Sequence, residues 1–211
     1  MRVKTLALGL LALIWGTAHA ALPDYAGPQP SSKAKEAVAV FAGGCFWGVD
    51  AVFKHVKGVS DVVSGYAGGS ATTAKYLVVS TGATGHAEAV KVTYDPAQVS
   101  YPELLKIFFS VAHDPTQLNR QGPDSGTQYR SAIFFADEQQ RDMAQRYIQQ
   151  LNAAKVFPKP VVTQVNALEQ FYAAEPYHQN YLALHPSEAY IVYNDLPKIE
   201  ALKKEFPARY R

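Results

Sequence analysis

An α/β (α+β) domain of the ferredoxin-like, split βαβ kind is predicted by three observations. Apolar periodicities follow one another in the order strand, helix, strand, strand, helix, strand between residues 36 and 136. A further helix and strand pattern comes next, giving a mixed sheet with a long irregular C-terminal segment after it. The 211 residues are 48% hydrophobic, enough to bury one core, and show no internal repeat or low-complexity tract.

The elements can be taken in order. "MRVKTLALGLLALIWGTAHA" (1–20) has Arg2 and Lys4, an apolar run from Leu6 to Trp15, then Ala18-His19-Ala20. This is the three-part pattern of a secretory signal, with a run too short to span a bilayer, and it predicts export, most simply to a bacterial periplasm. Without it, Lys+Arg falls from 20 to 18 and equals the 18 Asp+Glu, so the formal charge drops from +2 to zero. No basic stripe then argues for nucleic acid or an anionic membrane. "ALPDYAGPQPSSKAKE" (21–36) mixes Pro, Gly and Ser without periodicity and reads as a flexible tether to a single domain over 37–211.

Within that domain, "EAVAVFAG" (36–43) is a short apolar strand ended by Gly43 and Gly44. "CFWGVDAVFKHV" (45–56) places Phe46, Val49, Val52, Phe53 and Val56 at helical spacing. Residues 59–69 read as a second strand, and 86–96 as a third through the alternation Val90, Val92, Tyr94. Ser100 and Glu103 have capping-box spacing ahead of an amphipathic helix over 100–114. "YRSAIFFA" (129–136) is the fourth strand, 137–155 a helix and 160–167 a fifth strand.

Cys45 is the one cysteine in the chain and lies at a strand-to-helix turn. Exported domains usually carry cysteines in pairs, so a lone one is either buried and inert or kept for its reactivity. The free N–H groups and dipole of a helix start favour the thiolate, and the flanking glycines leave the sulfur accessible. Packing of helix against sheet would serve equally well as a reason for a small residue there.

"GGCFWG" (43–48) resembles the signature of the peptide methionine sulfoxide reductase A family. Blocks in the same order also resemble it: "GYAGG" (65–69), "TGHAEAVKVTYDP" (84–96), "HDPTQ" (113–117), "GPDSGTQYRSAI" (122–133) and, more weakly, "YHQNYL" (177–182). The resemblance implies a thiol-dependent reductase of S-methionine sulfoxide, free or in proteins. It implies Cys45 as the nucleophile and Glu88 as the acid that protonates the departing oxygen, which requires a raised pKa. Tyr76 and Tyr129 match tyrosines that bind the sulfoxide oxygen, Phe46 and Trp47 the pocket for the S-methyl group, and Asp124 the group that orients the substrate amide. Without the family, Glu88 in an alternating strand reads as solvated, the tyrosines as ordinary aromatics and Asp124 as a turn residue.

Two departures from the family pattern stand out. Asp50 replaces a common glutamate, and residues 191–211 contain no resolving cysteine. The implied enzyme therefore binds no cofactor or metal and draws electrons from an external thiol, a thioredoxin-like protein or dithiothreitol in vitro, and is expected to be a monomer. His86 in "HAE" echoes the H-x-E of zinc deaminases, but no further cysteine is present to complete a ligand set. A thiol-hydrolase triad of Cys45, His86 and an aspartate is the weaker reading; His86 is expected to brace the "GHAE" turn. The alternatives to a reductase are a single-cysteine peroxidase and a non-catalytic binder of oxidised methionine peptides. Turnover of a sulfoxide ester with dithiothreitol, compared with hydrogen peroxide as oxidant, separates them.

Overall fold

A computed structural model describes residues 21–29 and 34–211, so the signal expected over 1–20 lies outside the described residues. β1 (Ala37–Gly43) is the apolar run expected ahead of the cysteine. It ends where Gly44 takes φ +91°, a conformation that any residue with a β-carbon resists. α1 (Phe46–Lys54) turns Val49, Val52 and Phe53 into the core. β2 (Val59–Ala67), the short α2 (Tyr76–Val79) and β3 (Ala87–Tyr94) follow. α3 (Tyr101–Ile107) opens with the expected capping box: Ser100 Oγ accepts from Glu103 N at 3.4 Å, and Glu103 Oε2 accepts from Ser100 N at 2.9 Å. It widens into a π turn over Phe108–Ala112 and stops before His113. A small ribbon of β4 (Arg120–Gln121) and β5 (Asp124–Ser125) precedes β6 (Ser131–Phe135), α4 (Glu138–Ala153), β7 (Gln164–Ala167) and β8 (Phe171–Ala173).

The main sheet runs β7-β6-β1-β3-β2-β8. β1 is antiparallel to β3 and to β6, and β2 is antiparallel to β3, so α1 carries the chain from β1 across to β2 with β3 between them. That is the split βαβ core, and the parallel pairing of β6 with β7 makes the sheet mixed. On one face Phe41 stacks on Phe53 at 5.1 Å and on Phe108 at 4.9 Å, joining β1, α1 and the π turn. The other face is lined by Ala42, Ala67, Ala87, Ala89 and Ala132 with Val40 and Phe134, small enough for Leu168 and Phe171 to lie close over it.

Beyond β7 the chain is largely irregular, but it contains structure that the pattern did not reveal. β8 adds an edge strand, α5 (Tyr181–Leu184) a single turn, and α6 (Leu196–Glu205) a full helix that buries Ile199 and Leu202. The last residues clasp the exit of α1. Lys57 N donates to Arg209 O at 2.7 Å, Arg211 N to His55 O at 2.9 Å, and Tyr210 bridges Val56. No described helix is long and apolar enough to cross a membrane.

The tether expected over 21–36 is corrected in its first half. Leu22 and Tyr25 are buried, Tyr147 Oη donates to Pro23 O at 2.7 Å, and Gln150 bonds Ala26 N and Asp24 O at 3.0 and 2.7 Å. Residues 21–26 are thus docked on α4. Lack of periodicity reports the absence of a helix or strand, and two apolar anchors suffice to dock an irregular segment. Leu22→Ala is expected to lower the unfolding free energy by about 2–3 kcal/mol in a urea titration. A loss under about 0.5 kcal/mol, the scale of a surface change, would show that the segment is not docked in solution.

Candidate active site

Cys45 is the N-cap residue of α1, where the chain leaves β1 and the first-turn N–H groups are free of helical partners. Phe46 N–H donates to Glu88 Oε2 at 3.1 Å, and Trp47 N–H donates toward the Cys45 thiol. Glu88 therefore shares the helix start with the cysteine. It lies in β3 opposite Tyr66, is only 2% exposed, and burial pushes its carboxyl up to about 8. The Phe46 N–H pulls against that rise and the nearby Asp124 adds to it. The raised pKa required of an acid at this position is present.

The thiol behaves differently from the sequence-based expectation. Cys45 keeps partial exposure, yet desolvation, then the charges of Glu88 and Asp195, push its pKa well above the usual thiol value. Only the Trp47 N–H and Lys198 act in the opposite sense. A helix start alone favours the anion; here burial among acids outweighs it.

Aromatic side chains enclose this pair. Phe46 is buried against Tyr66 (5.9 Å between ring centres) and His178 (5.0 Å). The Trp47 indole stacks flat on Tyr181 at 3.6 Å, meets the edge of Tyr190 at 5.9 Å, and donates from Nε1 to His178 Nδ1 at 3.2 Å. Burial keeps His178 below the usual histidine range, consistent with a neutral ring accepting at Nδ1. Tyr76 opens α2, its ring 4.3 Å from His178 and its N–H donating to Glu175 Oε1 at 2.9 Å. Tyr129 ends a 3-10 turn, and its hydroxyl is made less acidic by burial, then by Glu88, Asp124, Tyr76 and Cys45. Asp124 accepts a short hydrogen bond from Tyr190 Oη. All seven residues singled out in the sequence thus converge on one place.

Others at the site were not singled out: His178, Tyr181 and Tyr190, which position Trp47 and Asp124, and Asp195 with Lys198. His178 and Tyr181 fall in "YHQNYL", the weaker block, which was the available signal; Tyr190 had none. His86 is buried at the head of β3, with Nε2 3.0 Å from Ser70 O, while Arg130 donates to its carbonyl and to that of Gly85. It braces the turn, as expected. Asp50 is 2% exposed, with its carboxyl pushed up to about 6 by burial, and it accepts from Lys54 Nζ at 2.8 Å. Lys54 also reaches Asn180 Oδ1 at 2.7 Å, tying α1 to the segment that carries His178 and Tyr181.

The family model described as peptide methionine sulfoxide reductase matches residues 37–210. The chain belongs to that family. "Peptide methionine sulfoxide reductase MsrA 2" of Mesorhizobium japonicum is 60% identical over 172 residues, covering 82% of this chain and 88% of the relative. The Synechocystis protein of the same description is 54% identical over 168 residues, 80% of this chain and 78% of the relative. Among solved structures, reduced Mxr1 of Saccharomyces cerevisiae superposes with a TM-score of 0.69 at 32% identity, over 75% of this chain and 91% of that one. Methionine sulfoxide reductase A of Corynebacterium diphtheriae gives 0.64 at 36% identity, over 74% and 78%. As a member of the family, this reductase reduces methionine sulfoxide to methionine at the expense of thiols.

Proposed function

We propose that the reduction runs through Cys45 as nucleophile and Glu88 as proton donor, with the S-epimer of methionine sulfoxide as substrate. The observation that carries this is the shared helix start: one carboxyl, protonated near neutrality, is hydrogen-bonded one residue from the only thiol. The Cys45 thiolate attacks the electrophilic sulfoxide sulfur while the Glu88 proton passes to the oxygen. The sulfur–oxygen bond breaks and the oxygen ends on the cysteine as hydroxyl, so methionine leaves reduced by two electrons and Cys45 is oxidised by two to the sulfenic acid. The proton that the thiol lost restores Glu88.

Tyr76 and Tyr129 hold the sulfoxide oxygen with phenols that burial keeps protonated, the role an oxyanion hole plays in acyl transfer. Phe46 and Trp47 accept the S-methyl group, and Asp124, steadied by Tyr190, receives the substrate amide. An external thiolate then attacks the sulfenic acid and water departs; a second thiol frees Cys45 and leaves as a disulfide. A thioredoxin-like protein fits that demand, because the sequence has no second cysteine to condense with the first. The pattern of residues 1–20 supports an exported, periplasmic enzyme, and nothing in the chemistry requires more than one copy.

The test is a single turnover. Mixed with excess sulfoxide and no reductant, the protein should release one methionine per chain and gain one oxygen in intact mass, trappable by dimedone. A stoichiometric disulfide-linked dimer would show instead that two copies of Cys45 resolve each other, and no methionine at all would remove Cys45 from the reaction.

A further inference from the structure

Gly48 lies in the first turn of α1, three residues after Cys45, where side chains at that spacing are neighbours on one helix surface. A β-carbon there would stand 2.1 Å from Asp195 Oδ1 and 2.6 Å from Lys198 Nζ, so these two groups fill the space of a side chain against the catalytic helix. Asp195 ends the π turn Ile191–Asp195 and Lys198 sits in α6, so the C-terminal segment delivers both. Asp195 is fully buried; its Oδ1 accepts from Lys198 Nζ at 3.1 Å, and its Oδ2 has no hydrogen-bond partner among the described residues. An ion pair whose acid is fully buried with one oxygen unsatisfied, and whose lysine is only 18% exposed, is a poor way to fill space, because an apolar pair of the same volume would pack at lower cost. Its position beside a thiol supplies another reason for it.

The other groups facing Cys45 are acids and phenols: Glu88 from β3, Tyr76 from α2, Tyr129 from the turn before β6, and Tyr181 and Tyr190 from the C-terminal segment. Lys198 is the cation that acts on the thiol. We propose that Asp195 and Lys198, packed together against Gly48, are positioning residues for the Cys45 thiolate, Lys198 serving as its counter-cation and Asp195 as the paired acid that offsets it. The pair sets how much thiolate exists in a site whose other charges oppose it, and Asp195 limits the gain, so the thiol stays mostly protonated at rest. This rests on reading Cys45 as the nucleophile, but it can be measured without turnover.

Iodoacetamide alkylation of Cys45, followed across pH, reports the thiolate fraction directly, since the chain has no other cysteine. Lys198→Met is expected to slow alkylation at pH 7 by roughly threefold to tenfold and move the midpoint up, and Asp195→Asn to speed it by a similar factor and move the midpoint down. Lys198→Arg, which keeps the charge, should stay near the unaltered protein. The double change Asp195→Asn/Lys198→Met, which leaves no buried charge uncompensated, should fall between the two single variants. Shifts of both single variants in one direction, or no shift in the double variant against either, would overturn the proposal, because a merely structural role does not reverse sign with the charge removed. Loss of sulfoxide reduction with unchanged alkylation profiles would count against this pair while leaving Cys45 in its role.

Discussion

Cys45→Ser protein is expected to fold normally and to reduce no methionine sulfoxide, with less than a few per cent of the original rate. The residue is partly exposed at an N-cap, and serine is among the residues most favoured there, so the fold loses little. The chemistry loses everything. A hydroxyl at this site is neither ionised nor polarisable enough to attack sulfur, and taking up the sulfoxide oxygen would require a weak oxygen–oxygen bond where cysteine forms the sulfur–oxygen bond of a sulfenic acid. The check is release of methionine from acetylmethionine sulfoxide with dithiothreitol on each epimer, alongside circular dichroism and a melting curve. Retention of more than a few per cent of the rate in a well-folded variant would place the nucleophile elsewhere.

Glu88→Gln should slow the same reaction by roughly 10² to 10⁴, the usual scale for loss of a general acid. Glutamine keeps the size of the side chain and can still accept from Phe46 N–H, so the helix start is retained while the proton is not. The pH profile carries a second signature. In the proposed mechanism Glu88 acts protonated, which prevails below about 8, and Cys45 acts as the thiolate, whose pKa lies well above the usual thiol value. The unaltered enzyme's rate should therefore climb to about pH 8, level off, and fall once the thiol is ionised as well. In the variant that alkaline fall should vanish. Removing the carboxylate also removes a charge that opposes the thiolate, so Cys45 should alkylate more readily even as turnover falls. A variant with the original rate and the same alkaline limb would mean that another group delivers the proton.

The longer strands and helices before residue 168 were legible because each announces its environment along the chain, whereas α2, β4 and β5, at two to four residues each, are too short to show a period. β3 alternates Val90 and Val92 toward the interior, α1 repeats its apolar residues at helical spacing, and Ser100 with Glu103 forms a cap within four residues. Cys45 and Glu88 were readable for a similar reason, as each sits inside a contiguous block. Tyr190, Asp195 and Lys198 were not, because they reach the site from a segment whose π turn and short helices have no sustained period. Docking of Leu22 and Tyr25 was hidden likewise, since it depends on a surface of α4 that adjacency in sequence does not describe. The acidity of Cys45 was misjudged from the helix start alone: the dipole is local, whereas desolvation is imposed by everything packed around it.

The clasp of residues 209–211 on the exit of α1 has a bearing on engineering. His55 and Cys45 stand at opposite ends of that helix, about 15 Å apart at 1.5 Å per residue. A cysteine grafted at Tyr210 or Arg211, meant to make the enzyme self-recycling, would be tethered out of reach of the sulfenic acid it was supposed to meet. A graft placed beyond Arg211 would need about five extended residues merely to travel back along the helix. Converting this scaffold to intramolecular recycling therefore calls for a thiol in the stretch around Tyr190, or for cutting the clasp first and accepting a looser α1.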